Sequence, residues 1–259
     1  NIASRYPNLS GLDPNTTTLV SPSQNHRLIK ETVETWIRRY SHEYKTLLEG
    51  RTFDGEETER LRRQSVLRTE VLPGLAKTAI HEAKSSGFSA DDLWGVSQEA
   101  NDYYDTLAIA GGIYEEYERI MRSRNFIDYD DMILAGLRVL DSPPIRDLWQ
   151  KQVFAVFEDE AQDSSPLQTE LLAILANHNL IRVGDPNQAI NSTFTPADPL
   201  YFNHFCDRCA QKKHLATMNQ SGRSSKIILD AANFVLHWVN GMWGNREQTT
   251  GNRQQGTDN

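Results

Sequence analysis

Two short, continuous apolar runs in the second half of the chain constrain its fold most. VFAVFED covers residues 153–159, NLIRVGD covers residues 179–185, and the segment 167–176 between them has helical periodicity. Runs of this length without alternating polar residues are typical of parallel strands that are covered on both faces. The pattern therefore predicts a strand, a helix and a second strand within an α/β parallel sheet.

Both apolar runs end in acidic residues. Asp159 and Glu160 follow the first run, and Asp185 closes the second. Ligands of open parallel sheets bind outside the carboxyl ends of the strands, so we expect the three carboxylates to share one crevice. An Asp-Glu pair there suits a Mg²⁺ ion held by one carboxylate and a water molecule activated by the other, as in phosphoryl transfer to water. The alternative is that these acids, like Asp163 before SSP, only cap the helices that follow.

The first half of the chain has a helical pattern. Residues 1–23 are rich in Pro, Asn, Ser and Thr and are predicted to form a loop. Apolar residues then recur at three- and four-residue steps, which indicates amphipathic helices, in the stretches 26–48, 57–84 and 96–123. Ser89, ahead of two aspartates, is typical of a helix N-cap.

Composition narrows the class of protein. The net charge of -8 and the pI near 5.4 argue against coating nucleic acid by bulk electrostatics, although they leave room for a local basic groove. No apolar run approaches the roughly 18 residues that span a bilayer, so no membrane partner is predicted. The first residues match neither a signal peptide nor a transit peptide, and the chain has only two cysteines, so we expect a cytoplasmic protein. The missing initiator Met points to a fragment.

Cys206 and Cys209 have the spacing of half a zinc site. His204 and His214 are near enough in sequence to complete a set of four ligands. A single CxxC fits ordinary reduced thiols in a connecting segment equally well. The sequence leaves both interpretations open.

Four motifs follow one another in a specific order. The chain carries FIDYDDMI at 126–133, DEAQD at 159–163, VGDPNQAI at 183–190 and MNQSGRSSKIILDAAN at 218–233. Together they closely resemble the UvrD/Rep/PcrA group of superfamily 1 DNA helicases, over about residues 126–240. DEAQD resembles helicase motif II, GDPNQ resembles motif III, and the Arg-Ser within NQSGRSS resembles motif IV. Several motifs in the right order are more specific than any one of them.

The resemblance implies ATP and Mg²⁺ as cofactors and single-stranded and duplex DNA as the partner. Asp159 would hold Mg²⁺, Glu160 would orient or deprotonate the attacking water, and Asp185 would bind in the same nucleotide site. Gln188 would sense the γ-phosphate. Arg223 would reach the γ-phosphate across a cleft, as an arginine finger does, unless it is simply a surface residue near a helix start.

The residues that would face DNA depart from the family pattern. Asn191 and Thr195 stand about where the family carries a tyrosine and an arginine. Phe194 is a candidate to stack on a DNA base, or alternatively a core residue. The basic stretch from Arg60 to Arg68 is either a DNA backbone contact or a solvated helix face paired with nearby glutamates.

The resemblance also divides the chain into parts. The expected fold is a partial RecA-like P-loop NTPase sheet with a large inserted all-helical subdomain. Its expected parts are a leading loop (1–23), a helical 1B-like subdomain (24–123), the later half of RecA-like domain 1A (124–215), motif IV with the start of domain 2A (216–240) and a disordered polar tail (241–259).

The phosphate-binding loop GxxxxGK[ST] does not occur in the 259 residues, and the family motifs V and VI are also missing. We therefore interpret the chain as part of a 3′-to-5′ DNA helicase or translocase of repair or recombination, and expect the isolated chain to be inactive toward ATP. One alternative is a non-catalytic helicase-like module that binds DNA or protein. Another is a fusion of a helicase with a nuclease.

Overall fold

A computed structural model describes residues 2–49, 57–100, 105–189, 199–218 and 220–251. The chain divides into two compact units, residues 1–208 and residues 209–259. In chain order the elements are α1 (Ile2–Arg5), α2 (Pro7–Ser10), β1 (Thr18–Leu19), α3 (Pro22–Arg39), α4 (Ser41–Glu49), α5 (Glu57–Val66), a π-helical turn (Leu67–Val71), α6 (Leu72–Ser85), α7 (Ala90–Glu99), α8 (Thr106–Ser123), β2 (Phe126–Ile127), α9 (Tyr129–Leu140), α10 (Pro143–Gln152), β3 (Val156–Glu158), a 3₁₀ turn (Ala161–Asp163), α11 (Pro166–Ala176), β4 (Leu180–Arg182), a 3₁₀ turn (Pro186–Gln188), α12 (Pro199–Gln211) and α13 (Lys226–Gly251).

The first unit has a helical core formed mainly by α3, α6 and α8. Helix α3 begins after Ser21, whose side chain accepts a hydrogen bond from the backbone N of Gln24, and Pro22 takes the first helical position. Each large apolar side chain that is fully buried there contributes about 1.5–3 kcal/mol to the free energy of unfolding. The buried side chains of these three helices include Leu28, Ile29, Val33, Trp36, Leu72, Ala76, Ile80, Ile113, Tyr117 and Ile120.

Helices α5 and α6 run on from one another through Pro73, as the apolar pattern predicted. Proline has no backbone N–H and cannot continue an ordinary hydrogen-bond ladder. The chain widens just before it: the N–H of Leu72 donates to the carbonyl of Leu67, five residues back, in a π-helical turn. The π-helical turn therefore lies where the backbone N–H of Pro73 is missing, and α6 follows it directly from Leu72.

Three predictions about the first half need correction. Residues 1–23 are not simply a loop, because they form α1, α2 and the strand β1. The helix predicted over 26–48 is interrupted at Tyr40, where the backbone leaves helical angles (φ -112, ψ 52). The single helix predicted over 96–123 is also wrong: α7 ends at Glu99, and Ala100 is extended (ψ 130). The polar residues Asn101 and Asp102 that follow favour turns over helix interiors, and they lie outside the described residues.

A buried ion cluster joins α6, α8 and α9. The ammonium Nζ of Lys84 lies 2.7 Å from Asp128 Oδ2, 2.6 Å from Asp131 Oδ1 and 3.2 Å from Glu118 Oε1. Asp128 and Asp131 also form the capping box of α9, because each carboxylate accepts a hydrogen bond from the backbone N of the other. The hydroxyl of Tyr117 donates to Asp128 Oδ2 at 3.1 Å. We call Lys84, Glu118, Asp128 and Asp131 the Lys84 cluster.

The described strands form two small parallel sheets. In the first, β1 pairs with β2. In the second, β3 pairs with β4, with Val156 opposite Leu180 and Phe157 opposite Ile181, and α11 connects them, so the predicted strand-helix-strand order is confirmed.

The prediction that these strands are covered on both faces is wrong for the described residues. Phe157 and Ile181 lie on the same face, and they are 75% and 49% exposed. The other face packs toward α11. No described helix covers this open face.

In the second unit, α13 extends to Gly251 and so enters the tail that was predicted to be disordered from residue 241. Residues such as Met242, Arg246 and Glu247 have good helix propensity and prolong a helix that has already nucleated. Residues 252–259 lie outside the described residues. Among the helices that the structure describes, none is long and apolar enough to span a membrane.

Candidate functional site

The candidate site lies where β3 and β4 end. Beyond the paired strand residues, the N–H of Val183 donates to the carbonyl of Glu158 at 2.8 Å, and the N–H of Ala161 donates to the carbonyl of Val183 at 2.9 Å. These bonds hold the two segments that follow the strands side by side. The expectation that the acids after the two runs share one crevice rests on this arrangement, and we call Asp159, Glu160 and Asp185 the strand-end acids.

A buried ion pair joins the last residues of the two strands, before the strand-end acids. Glu158, the last residue of β3, pairs with Arg182, the last residue of β4, and their side chains are only 7% and 2% exposed. The guanidinium carbon of Arg182 lies 5.8 Å from the ring centroid of Phe202 and 5.2 Å from that of Phe205. The hydroxyl of Ser164 donates to Glu158. Sequence analysis missed this pair, because nothing in the sequence shows which acid of the cluster faces inward.

Asp159 and Glu160 face outward. Both are exposed, and Glu160 has left-handed backbone angles (φ 52, ψ 41), which are uncommon for a residue with a side chain. The N–H of Glu160 donates to Asp159 Oδ1 at 3.0 Å. A strained turn of this kind carries a cost that the surrounding structure has to support, and such turns concentrate at functional sites.

Gln162 joins the two segments. It is 2% exposed, its Nε2 donates to Glu160 Oε2 at 2.8 Å, and its Oε1 accepts the backbone N–H of Asp185 at 3.0 Å. Gly184 leaves the space for it, because a Cβ atom there would lie 2.5 Å from Gln162 Oε1. One buried amide thus sets the position of a strand-end acid on each side. Gln162 is the glutamine of DEAQD, a motif that the sequence analysis quoted without giving this residue a role.

Asp185 organises the turn after β4. Its Oδ1 accepts from the backbone N and from Nδ2 of Asn187, at 3.0 and 3.1 Å, and its Oδ2 accepts from Nε2 of Gln188 at 3.0 Å. Burial acts to raise the pKa of Asp185, but the hydrogen bonds from Gln188 and Asn187 outweigh it and hold the pKa below its ordinary value. Gln188, predicted to sense a γ-phosphate, is therefore held against a strand-end acid.

Two predicted site residues remain, Arg223 and Phe194. Arg223 belongs to the second unit, where it is exposed in the bend before α13. In that bend the N–H of Ser224 donates to Ser221 Oγ at 3.3 Å, and the N–H of Leu229 in α13 donates to the carbonyl of Ser225. Phe194, the candidate for stacking on a DNA base, lies outside the described residues.

The predicted Mg²⁺ and zinc sites can be compared with the positions of the side chains that would bind the metal ions. Among the described residues, no group of three or more His, Cys, Asp or Glu side chains is placed to hold a metal ion. Cys206, Cys209, His204 and His214 are all described, so they do not assemble the zinc site that their spacing allowed. The exposed oxygens of Asp159 fit a Mg²⁺ ion, which takes one or two protein carboxylates and completes its shell with water and phosphate oxygens.

The basic stretch of α5 and the π-helical turn is largely neutralised. Arg63 Nε lies 3.1 Å from Glu59 Oε1, Arg60 lies 3.7 Å from Glu49, and Arg68 pairs with Glu34. These pairs favour the interpretation of a solvated helix face over that of a DNA backbone contact.

Comparison with known proteins agrees with the motifs. Residues 4–210 match the family model of the UvrD/REP helicase N-terminal domain. The exonuclease/helicase protein RexA of Streptococcus pneumoniae is 33% identical over 127 residues, which are 47% of this chain and 10% of that protein. The ATP-dependent DNA helicase PcrA of Staphylococcus epidermidis is 30% identical over 142 residues, which are 54% of this chain and 19% of that protein.

The chain thus spans between 10% and 19% of the length of these curated relatives. The family match, in contrast, covers more than half of the chain and includes DEAQD and GDPNQ. The resemblance to the UvrD/Rep/PcrA group is confirmed, and the chain belongs to the UvrD/REP helicase N-terminal domain family.

Proposed function

We propose that this chain supplies the water- and Mg²⁺-directing acids of an ATP-dependent DNA helicase or translocase that moves 3′ to 5′ on DNA in repair or recombination in the cytoplasm. The observation that carries the proposal is the link through Gln162, which positions Glu160 and Asp185 at the ends of adjacent parallel strands. Crevices at such strand ends are where α/β sheets bind nucleotides. Family membership and the names of the relatives support ATP and DNA as the ligands.

In the proposed mechanism each side chain has one task. Asp159 would hold a Mg²⁺ ion, which would supply positive charge to the phosphate oxygens. Glu160 accepts a proton from the attacking water at a carboxylate oxygen, and Gln162 keeps that carboxylate in place. Gln188 would contact the γ-phosphate, and Arg223 would bring positive charge to it.

We further propose that β3 and β4 are part of a larger RecA-like sheet in the full-length protein, next to the helical 1B-like subdomain of residues 24–123. A two-stranded sheet is marginal by itself. Phe157 and Ile181 leave its open face apolar, as expected if a further layer covers it. The phosphate-binding loop, which these 259 residues lack, would belong to the same larger sheet.

The direct test is DNA-stimulated ATP hydrolysis by the full-length protein that contains this chain. Glu160→Gln keeps the shape of the side chain and an acceptor for Gln162 but removes the base, so we expect kcat to fall by about 10²- to 10⁴-fold. Glu170→Gln, on the exposed face of α11, is the matched control and should leave kcat unchanged. Equal activity of the two variants would refute the role of Glu160.

The isolated chain provides a second test. We expect no DNA-stimulated phosphate release from the 259 residues alone, because they hold no phosphate-binding loop. Reading the gene upstream of Asn1 for GxxxxGK[ST] distinguishes a helicase from the alternative, a non-catalytic binding module. A full-length protein without that loop would favour the module.

A further inference from the structure

A cavity of about 700 Å³ opens between α3, α4, α7 and α8 in the first unit, away from the strand ends. Two glycines of α8 line it. A Cβ atom on Gly112 would lie 2.8 Å from Trp36 Nε1, and one on Gly111 would lie 3.6 Å from the backbone N of Trp94. The contact at Gly111 is an ordinary one, whereas a side chain at Gly112 would clash with the ring of Trp36, so Gly112 allows this part of an aromatic wall to form.

The aromatic wall has a buried part and an exposed part. Trp36 is 2% exposed, and its ring stacks on that of Tyr40 with centroids 5.8 Å apart and planes at 25°. Trp94 is 54% exposed and also lines the cavity. An indole left half open beside a cavity offers a flat face and an N–H donor to an incoming group.

The charge of the cavity is of one sign. Glu43, Asp91, Asp105 and Glu115 line it, and no lysine or arginine does so among the described residues. Within the described part of the chain, none of these four carboxylates forms an ion pair, whereas Glu31, Glu34, Glu59 and Glu116 elsewhere on the helical part all pair with arginines.

The nearby cation is already engaged. Arg39 interacts electrostatically with Glu115, but its guanidinium is paired with the buried carboxylate of Glu116. The lining acids therefore keep their negative charge available. A phosphate backbone is repelled by such a wall, so the cavity does not suit the DNA ligand of the proposed function.

We infer that this cavity is a docking site for an arginine side chain presented by a partner protein. A guanidinium stacks flat on an indole face and donates paired hydrogen bonds to carboxylates, which are the two kinds of group that line the cavity. The volume exceeds that of one side chain and leaves room for the residues that flank it. The inference is independent of ATP chemistry, because none of the strand-end acids takes part.

The test uses the 259-residue chain and an amidated hexapeptide that carries two arginines, titrated by isothermal calorimetry. The matched peptide carries citrulline, which is neutral and has nearly the same shape. We expect the arginine peptide to bind at least tenfold more tightly than the citrulline peptide, and its affinity to fall as salt rises. Equal binding of the two peptides, or no binding of either at low salt, would overturn the inference.

Variants locate the binding. Trp94→Ala should weaken the arginine peptide about tenfold, and Trp94→Phe should weaken it less because a ring remains. Trp238→Ala, which removes an indole of similar exposure (59%) in the second unit, is the control and should have no effect.

The acids are tested in the same way. Glu43→Gln combined with Asp91→Asn should weaken binding severalfold, whereas Asp147→Asn combined with Glu170→Gln, at exposed sites elsewhere, should not. Circular dichroism checks that each variant is folded. If Trp94→Ala instead lowered the affinity for a single-stranded oligonucleotide and left the peptide unaffected, the cavity would be a DNA site and the inference would be wrong.

Discussion

The Lys84 cluster and the strand-end acids each contain three carboxylates, but these stand in opposite surroundings. Around Lys84 the carboxylates are mostly buried, and the chain supplies its own cation, whose side chain is 1% exposed. At the strand ends, Asp159 and Glu160 are exposed, and in the part of the chain that the structure describes no lysine or arginine pairs with Asp159, Glu160 or Asp185.

The difference shows that carboxylates within one chain can be stabilised in two different ways. Burial acts to lower the pKa of Lys84, but Asp128, Asp131 and Glu118 outweigh it and hold the pKa above its usual value, so the ammonium stays charged. Those acids share a cation that the fold itself supplies. Glu160 and Asp185 of the strand-end acids are instead held by hydrogen bonds from the side-chain amides of Gln162 and Gln188.

The largest effect that this comparison predicts follows removal of the internal cation. Lys84→Met should lower the free energy of unfolding by about 3–5 kcal/mol, because it leaves three carboxylates together in the interior without compensation. Urea denaturation followed by circular dichroism measures it. Lys77→Met, on the exposed face of the same helix, should change the free energy by less than about 0.5 kcal/mol. If the two variants were equally stable, the Lys84 cluster would not support the fold.

A smaller effect is expected at the buried support of the strand ends. Gln162→Leu removes the acceptor of the backbone N–H of Asp185 and the donor to Glu160, and should cost about 2 kcal/mol. Gln152→Leu, at the exposed end of α10, is the control for the same denaturation experiment. A loss no larger than that of the control would mean that the amide does not hold the two segments together.

The next effect depends on pH. Burial raises the pKa of Asp131 to about 6 in the folded chain, against 3.8 for an ordinary aspartate. The folded state therefore holds this proton more tightly than the unfolded state does, so the contribution of Asp131 to stability falls as pH rises from about 4 to about 6. In Asp131→Asn, which still offers an acceptor to α9, that part of the pH dependence should disappear, so the free energy of unfolding should vary less between pH 4 and pH 6 than it does in the parent chain.

The measurement for Asp131 is the free energy of unfolding in urea at several pH values between 4 and 7. Asp147→Asn, at an exposed position of α10, serves as the reference and should keep the profile of the parent chain. Identical profiles for all three proteins would show that Asp131 ionises normally.

The smallest effect is expected at the exposed acids. Asp159→Asn combined with Glu160→Gln keeps the oxygen acceptors of both side chains and should change the free energy of unfolding by less than about 0.5 kcal/mol. Thermal denaturation of the double variant beside the parent chain tests this. If the free energy of unfolding fell by several kcal/mol, Asp159 and Glu160 would be structural groups like the Lys84 cluster, and the difference between the two groups would not hold.

The local features were within reach of the sequence. The runs before Asp159 and Asp185 predicted two parallel strands with a helix between them, and Ser89 is the N-cap of α7 as predicted, with its side chain accepting from the backbone N of Asp92. These features depend on neighbouring residues. The roles of the strand-end acids, Gln188, Arg223 and Phe194, and the division into RecA-like and 1B-like parts, stay predictions.

The features that the sequence did not reveal depend on residues far apart in the chain. Lys84 meets Asp128 across 44 positions, and no local pattern marks this lysine as buried. Arg182 meets Glu158 across 24 positions. The cavity beside Trp94 also depends on the close approach of α8 to Trp36, which Gly112 permits but periodicity does not specify.

The Lys84 cluster has a consequence for protein engineering. Lys84 and Glu118 lie before residue 124, whereas Asp128 and Asp131 lie after it, so the cluster crosses the boundary that the motifs place between the helical insertion and the sheet. Consider a chimera that takes residues 24–123 from a relative and keeps the rest of this chain. It would keep the buried carboxylates of Asp128 and Asp131 but lose their counter-ion, Lys84, unless the relative also has a lysine at that position. The two segments are exchangeable only as a pair.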